Sequence, residues 1–116
     1  MLPMRSHADI AKAYERVVAR LEGNPSARER PVMTAARDAL AWVLGYTDEA
    51  PWTRRVLPNP AETELFSEWA RAERVNHDAR LAHSDPDRFT YGSAVEHALA
   101  WARGRSDVVP PTDGWV

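Results

Sequence analysis

The sequence contains no cysteine, and only one of its fifteen basic residues is lysine, at Lys12. Without cysteine there are no disulfides and no thiolate metal sites, which fits a reducing compartment. The chain also lacks a strong charge of either sign. Its formal net charge is −2 over 116 residues, so no global field attracts nucleic acid or an anionic membrane, and nucleic acid is a disfavoured partner.

Long apolar runs are absent as well. No stretch reaches the about 18 apolar residues that a membrane-spanning helix needs, and the N-terminal residues lack the uninterrupted apolar core of a secretory signal. We therefore expect a cytoplasmic protein without a membrane partner. The four histidines are dispersed at His7, His77, His83 and His97, and no phosphate-binding glycine loop or nucleophile motif occurs. We predict no metal, no cofactor and no small-molecule ligand.

One segment of the sequence occurs twice. Residues 39–53 read ALAWVLGYTDEAPWT and residues 98–112 read ALAWARGRSDVVPPT, and eight of these fifteen positions are identical. Such self-similarity at a fixed offset indicates an internal duplication of a structural unit. The pairs that we assign to the structural core of the repeat are Leu40/Leu99, Trp42/Trp101, Gly45/Gly104, Asp48/Asp107 and Pro51/Pro110.

Apolar periodicity and capping residues predict four helices. The first starts after Ser6 and ends before Gly23, and the third follows the Asn59-Pro60 start signal. Asn24-Pro25 and Ser84-Asp85-Pro86 are interpreted as turns. The predicted ranges are 7–22, 32–44, 60–82 and 90–103, with a long loop at 46–58 and an extended tail at 105–116.

These helices predict a single all-α domain over residues 1–116. Repeat 1 covers 6–58 and repeat 2 covers 59–112, each a helix–turn–helix hairpin that is too small to hide its apolar face alone. The two diverged hairpins are expected to pack into a four-helix domain with a pseudo-two-fold relation. We expect no sheet.

The repeated tryptophan lies away from the apolar stripe of its own helix. On a helical wheel Trp42 is about 160° from Leu40, and Trp101 is placed in the same way relative to Leu99. Two interpretations stay open. The following loop folds back over the indole, with Pro51 or Pro110 covering it and Asp48 or Asp107 forming the turn; alternatively, the indoles belong to a partner or dimer surface.

Four residues are candidates for binding: Trp52, Arg54, Arg55 and Trp115. Trp52 and the two arginines form a basic and aromatic loop tip that could stack on a base and contact phosphate. Trp115 ends an apolar, proline-containing tail, which either docks on the helices or engages another protein. Asn76 and His83 fall on the apolar stripe of the third helix, where we expect a hydrogen-bonded core pair or a stripe that fades at the helix end.

Residues Arg71 to His77 (RAERVNH) resemble the Arg-x(4–6)-His motif of the HEPN RNases, which are all-helical. The resemblance implies RNA cleavage with Arg71 and His77 as the catalytic pair. The alternative is an ordinary solvated helix face.

The segment from Leu40 to Pro51 (LAWVLG-x-T-D-x-A-P) resembles small uncharacterised helical proteins of actinobacteria and their phages. That resemblance implies a phage or mobile-element accessory protein and no particular activity. The sequence as a whole predicts a non-enzymatic interaction module that binds a protein partner or itself as a homodimer. The alternatives are the HEPN-like RNase and a nucleic-acid binder through Arg54 and Arg55.

Overall fold

The computed structural model describes residues 4–107, and this part of the chain is helical. The predicted tail residues Pro110 and Trp115 lie outside the described residues. A single antiparallel bridge between Glu49 and Val56 is the only extended pairing within 4–107. The elements are α1 (His7–Glu22), α2 (Glu29–Leu44), α3 (Glu62–Glu73), a 3₁₀ turn (Arg74–His77), α4 (Ala79–Ser84) and α5 (Pro86–Ala102).

Helix α1 has the predicted bounds, and Ser6 Oγ accepts a hydrogen bond from the backbone N–H of Asp9 at 3.1 Å. Helix α2 begins three residues earlier than predicted, because Ser26 and Glu29 cap each other. Ser26 Oγ accepts from the N–H of Glu29 at 3.2 Å, and the Glu29 carboxylate accepts from the N–H of Ser26 at 3.4 Å. Pro31 lies in the first turn of α2, where its missing N–H loses no helical hydrogen bond.

The single long helix predicted for residues 60–82 is wrong, since this region forms α3, the 3₁₀ turn and α4. The break occurs where Val75 is buried and Asp78 caps α4, accepting a hydrogen bond from the N–H of Leu81 at 3.0 Å. Asn76 and His83 are exposed, so they are not a buried polar pair. Their apolar stripe ends with α3.

Helix α5 begins at Pro86 and not at residue 90. Asp85 Oδ1 accepts a hydrogen bond from the N–H of Arg88 at 3.1 Å, and Pro86 occupies the first helical position. The fixed φ of proline suits that position. Asp85-Pro86 therefore ends one element and starts the next, and the described chain has five α-helices where four were predicted.

The hydrophobic core lies mainly between α2 and α5, which pack against each other, while α1 packs on α2 and α3 packs on α5. Helix α5 is thus covered from two sides. Its buried residues include small side chains at Ala94, Ala98 and Ala102, which allow close approach of the neighbouring helices. The largest fully buried side chains are Trp42, Met33, Leu40, Leu65 and Leu99.

The two repeated segments share their local geometry. Gly45 and Gly104 both adopt a left-handed backbone, with φ of 81° and 76°. The N–H of Tyr46 donates to Ala41 O at 2.8 Å, and the N–H of Arg105 donates to Ala100 O at the same distance. Both helices therefore end in the same glycine-dependent cap. The pseudo-two-fold relation between whole halves stays a prediction.

Candidate functional site

The loop between α2 and α3 is folded back on itself and presents a compact tip. The N–H of Ala50 donates to Arg55 O at 2.8 Å, and the N–H of Leu57 donates to Asp48 O at 2.7 Å. Arg54 takes a left-handed conformation with φ of 64°. These bonds close a tight turn that carries Trp52 at its tip.

A buried carboxylate holds this tip against the helices. Glu68 of α3 is fully buried and accepts hydrogen bonds from the backbone N–H of Trp52 at 2.6 Å and of Thr53 at 2.8 Å. The Thr53 hydroxyl donates to its other oxygen at 2.8 Å. Consecutive N–H groups and a hydroxyl therefore supply the polar partners that a buried carboxylate requires.

The Trp52 ring packs against α5 at Gly92, which has no side chain. A Cβ placed on Gly92 would lie 2.9 Å from Trp52 Cζ3 and 3.0 Å from Val75 Cγ2. Such distances are too short for carbon atoms that are not bonded. Gly92 therefore provides the space that the indole occupies. Trp52 is half-buried and is not a free surface residue.

The hydroxyl of Tyr91 connects the loop to α2 and α5. It donates to Asp38 Oδ2 at 2.7 Å, accepts from Arg54 Nη2 at 3.1 Å and lies 3.2 Å from Pro51 O. Burial raises the pKa of Tyr91 well above its ordinary range, and the hydrogen bond to the Asp38 carboxylate raises it further. Tyr91 is therefore a fixed neutral donor in this site.

These parts form the wall of an open cleft of about 760 Å³, which we call the Trp52 cleft. The guanidinium of Arg88 lies over the Trp52 ring, with 4.6 Å between its carbon and the ring centroid. The guanidinium of Arg54 lies over the Tyr91 ring at 5.5 Å. A cation over an aromatic face keeps its N–H edge free unless another group occupies it, so Arg88 is preorganised as a donor to a ligand, whereas Arg54 already donates to the Tyr91 hydroxyl and to Glu49.

The charges of the cleft are mixed. Its basic residues are Arg30, Arg54 and Arg88, and its acidic residues are Asp85 and Asp87. Arg54 has an exposed ion pair with Glu49 at 3.4 Å, whereas Arg30 and Arg88 form no ion pair with residues 4–107. Two unpaired guanidinium groups can thus receive carboxylates in bidentate fashion.

The structure brings together only some of the predicted binding residues. Trp52 and Arg54 line the cleft, whereas Arg55 does not line it and is exposed, with its Nε donating to Thr53 Oγ1 at 3.2 Å. Trp115 lies outside the described residues. Arg88 and Tyr91, which complete the cleft, are not among the predicted residues because they come from α5, far from the loop in sequence.

The repeated tryptophans are both buried, in different surroundings. Trp42 is fully buried and its Nε1–H donates to Leu57 O at 3.0 Å, so the following loop covers this indole. Trp101 is 4% exposed, and Arg5 lies over its ring at 5.4 Å while donating to its carbonyl oxygen at 3.2 Å. Among residues 4–107, a loop carbonyl therefore contacts the Trp42 indole, whereas an arginine from before α1 contacts the Trp101 indole.

The aspartates of the repeat also differ. Asp48 is exposed, and it is Thr47 Oγ1 that accepts the turn hydrogen bond, from the N–H of Glu49 at 3.3 Å. Asp107 is exposed and accepts from Arg5 Nη2 at 3.4 Å. The equivalence of the repeats is therefore seen in the glycine caps and does not extend to the aspartate contacts.

The HEPN-type residues lie at the end of α3 and in the 3₁₀ turn. Arg71 and His77 are both exposed, and His77 Nε2 lies 3.0 Å from Glu73 Oε1. Elsewhere in residues 4–107, no three His, Asp or Glu side chains gather as a metal site. No helix of this range is long and apolar enough to cross a membrane.

Comparison of the chain with protein-family models, with curated proteins and with solved structures found no match. The Trp52 cleft is the feature of the molecule from which a function can be inferred.

Proposed function

We propose that the protein is a non-enzymatic interaction module, and that the Trp52 cleft binds an acidic segment of a partner protein. The observation that carries this proposal is the stacking of two guanidinium groups on the two aromatic rings of one open cleft. Arginine and tryptophan are the residues that most often dominate the energy of protein interfaces. Glu68 and Tyr91 fix the loop tip through hydrogen bonds before a ligand binds. This preorganisation lowers the conformational entropy that is lost on binding.

The mixed charge favours protein over nucleic acid as the ligand. Asp85 and Asp87 lie beside the arginines and would repel a run of phosphates more strongly than a peptide segment with only one or two carboxylates. Both aromatic rings already carry a guanidinium, so a base could stack on Trp52 only if Arg88 left its position. A peptide that offers one or two carboxylates among apolar side chains fits both features.

A peptide-display selection against the immobilised full-length protein tests the proposal. We expect enriched sequences to carry Asp or Glu next to apolar residues. Because a charge-assisted hydrogen bond contributes about 1.5–3 kcal/mol, Arg88→Glu should weaken binding of a selected peptide by roughly tenfold to a hundredfold. Glutamate suits this third helical position after the Asp85 cap, so the variant should keep its fold.

The matched control is Arg80→Glu, which reverses an exposed arginine of α4 outside the cleft and should leave the affinity unchanged. Peptides that bind wild type and Arg88→Glu equally would contradict the proposal. The nucleic-acid alternative would be supported instead if the protein bound a single-stranded oligonucleotide at low salt, released it at high salt, and lost this binding in Arg54→Glu.

The RNase alternative, the accessory role in a phage or mobile element and the cytoplasmic location stay predictions. For the RNase, the exposed pair of Arg71 and His77 predicts RNA cleavage that is lost in His77→Ala. The protein-binding proposal has the stronger support, since the cleft unites side chains from three parts of the chain.

A further inference from the structure

A second surface lies on α3 and the end of α5, and we call it the Phe66 patch: Phe66, Trp69 and Arg103. Phe66 is 51% exposed, and its ring centroid lies 5.8 Å from that of Trp69. The guanidinium carbon of Arg103 lies 4.9 Å from the Phe66 ring centroid and 5.5 Å from that of Trp69. Trp69 is fixed by its Nε1–H, which donates to Glu96 Oε1 at 2.9 Å.

Arg103 is a buried cation that lacks an acidic partner within residues 4–107. The residue is only 6% exposed, its Nε has no hydrogen-bond partner, and no carboxylate of the described chain forms an ion pair with it. Glu68, the other buried charged residue, has three hydrogen bonds. Buried charges are normally paired, so Arg103, whose charge within residues 4–107 faces two aromatic rings and no ion-pair partner, is an unusual buried cation.

Glu62 supplies a carboxylate close enough to act electrostatically on Arg103 of its own chain, but it forms no ion pair with that residue. It precedes Phe66 by four residues on α3, so the two side chains share one helix face. Burial and the neighbouring Arg105 lower the pKa of Arg103, while Glu62 acts on that pKa in the opposite direction. Glu62 is exposed and makes no ion pair within the described chain.

We propose that the Phe66 patch is the contact between two copies of this chain, related by a two-fold axis beside Phe66 with their α3 helices antiparallel. The register follows from the spacing. With the axis at residue 66, Glu62 of one copy faces Ala70 of the other, next to the Phe66–Trp69 pair over which Arg103 lies. Each carboxylate then approaches Arg103 of the other copy, which has no ion pair within residues 4–107, and the two Phe66 rings cover each other.

The charge complementarity is reciprocal, as a self-complementary two-fold interface requires. The proposal concerns a surface distinct from the Trp52 cleft, so failure of either leaves the other standing.

Sedimentation velocity of the full-length chain from micromolar to millimolar concentration is the first test. We expect a monomer–dimer equilibrium that Phe66→Ser shifts toward monomer by about tenfold or more in the dissociation constant, because the apolar centre of the contact is lost. The control is Val56→Ser, which removes a side chain that is 73% exposed elsewhere and should leave the equilibrium unchanged. A wild-type chain that is monomeric throughout overturns the proposal.

Two charge variants separate dimerisation from folding. Glu62→Lys places a cation against Arg103 of the other copy and should abolish the dimer, whereas Glu15→Lys on the exposed face of α1 should not. Arg103→Met removes the buried charge but keeps an apolar side chain on the rings, so its thermal unfolding should occur at or above the wild-type temperature while the dimer weakens. A dimer that tolerates both variants overturns the proposed register.

The absence of cysteine from the chain allows a geometric test. A single cysteine at position 66, in Phe66→Cys, should form an intermolecular disulfide rapidly under mild oxidation, because equivalent positions on a two-fold axis are adjacent. Val56→Cys has a similarly exposed position and should cross-link much more slowly. Equal rates for the two variants would contradict the proposed axis.

Discussion

Glu68 takes three hydrogen bonds from two consecutive loop residues, although its side chain has no contact with water. A single carboxylate therefore fixes the backbone at Trp52 and Thr53. Removing a hydrogen-bond acceptor from buried N–H groups leaves donors that cannot bond to anything else. The position of the cleft wall at Trp52 and Thr53 therefore depends on a residue that does not itself line the cleft.

Glu68→Gln tests this dependence. The amide keeps the size of the side chain, and its oxygen can accept from the two N–H groups while its NH2 group faces the Thr53 hydroxyl, but the charge that strengthens these hydrogen bonds is lost, so we expect the free energy of unfolding to fall by about 1–2 kcal/mol. Urea denaturation followed by circular dichroism measures it. Glu15→Gln, an exposed change on α1, should alter stability by less than about 0.5 kcal/mol. A similarly small change for Glu68→Gln would show that the loop does not depend on the carboxylate.

The raised pKa of Tyr91 leads us to expect that the protein loses stability at alkaline pH. Its pKa is raised in the folded state by burial and by Asp38, so the folded state holds the phenol proton more tightly than the unfolded state. Stability from this group is then complete below the ordinary tyrosine pKa of about 10 and falls as the pH rises above it. We expect the free energy of unfolding to decrease between about pH 10 and pH 11.5.

The comparison is with Tyr91→Phe, which has no phenol to ionise and should show a shallower decrease over that range. Tyr46→Phe, at an exposed tyrosine, should follow the wild type. Parallel curves for wild type and Tyr91→Phe in urea denaturation would contradict the assigned role.

At the scale of the element, α5 is unusual because it carries a glycine in its middle. Alanine is the better helix former by about 1 kcal/mol, so Gly92 is unfavourable for an isolated helix. The close approach of Trp52 and Val75 explains why it is tolerated. Helix α5 therefore carries a residue of low helix propensity at the position where the loop with Trp52 packs against it.

Gly92→Ala should therefore destabilise the protein, against the helix-propensity trend, by about 1–3 kcal/mol through overpacking. Thermal unfolding measures it, and Trp52→Ala provides the control background. In that background the contact with the indole is gone and only the contact with Val75 Cγ2 at 3.0 Å remains, so Gly92→Ala should be clearly less destabilising than in the wild type. An unfavourable effect of the same size in both backgrounds would rule out Trp52 as the cause.

The start and end signals of the helices explain how much of the fold is predictable from sequence. Ser6 and Gly23 bound α1 as predicted, since both act through neighbouring backbone groups. The start of α2 was also encoded locally, in Ser26 and Glu29, but Pro31 obscured it. Asp85-Pro86 predicts a turn as readily as a helix start, and in the structure the pair caps and opens α5.

The cleft is less predictable because its residues meet only in the tertiary structure. Trp52 and Arg54 could be selected as a basic and aromatic pair, since they are neighbours in sequence. Arg88 and Tyr91 carry no such mark until α5 is placed against the loop. Arg103 likewise looks like an ordinary helix-end arginine in the sequence, and only its burial makes it unusual.

At the scale of the whole molecule, α2 and α5 bury each other although they belong to different predicted repeats. Neither half therefore contains its own complete core. We expect a fragment of residues 1–58 to lack cooperative thermal unfolding in far-UV circular dichroism, because the apolar face of α2 would meet water in place of α5. The full chain should unfold in one transition, and a fragment that melts cooperatively would show that the repeats fold independently.

Helix α3 connects the Trp52 cleft with the Phe66 patch. Glu68 holds the lip of the cleft from this helix, and Phe66, two residues away, stands on the opposite outer surface. A displacement of α3 would therefore move both the wall of the Trp52 cleft and the Phe66 patch. By thermodynamic linkage, any factor by which occupation of the cleft strengthens or weakens pairing of the chains must equal the factor by which pairing changes affinity in the cleft.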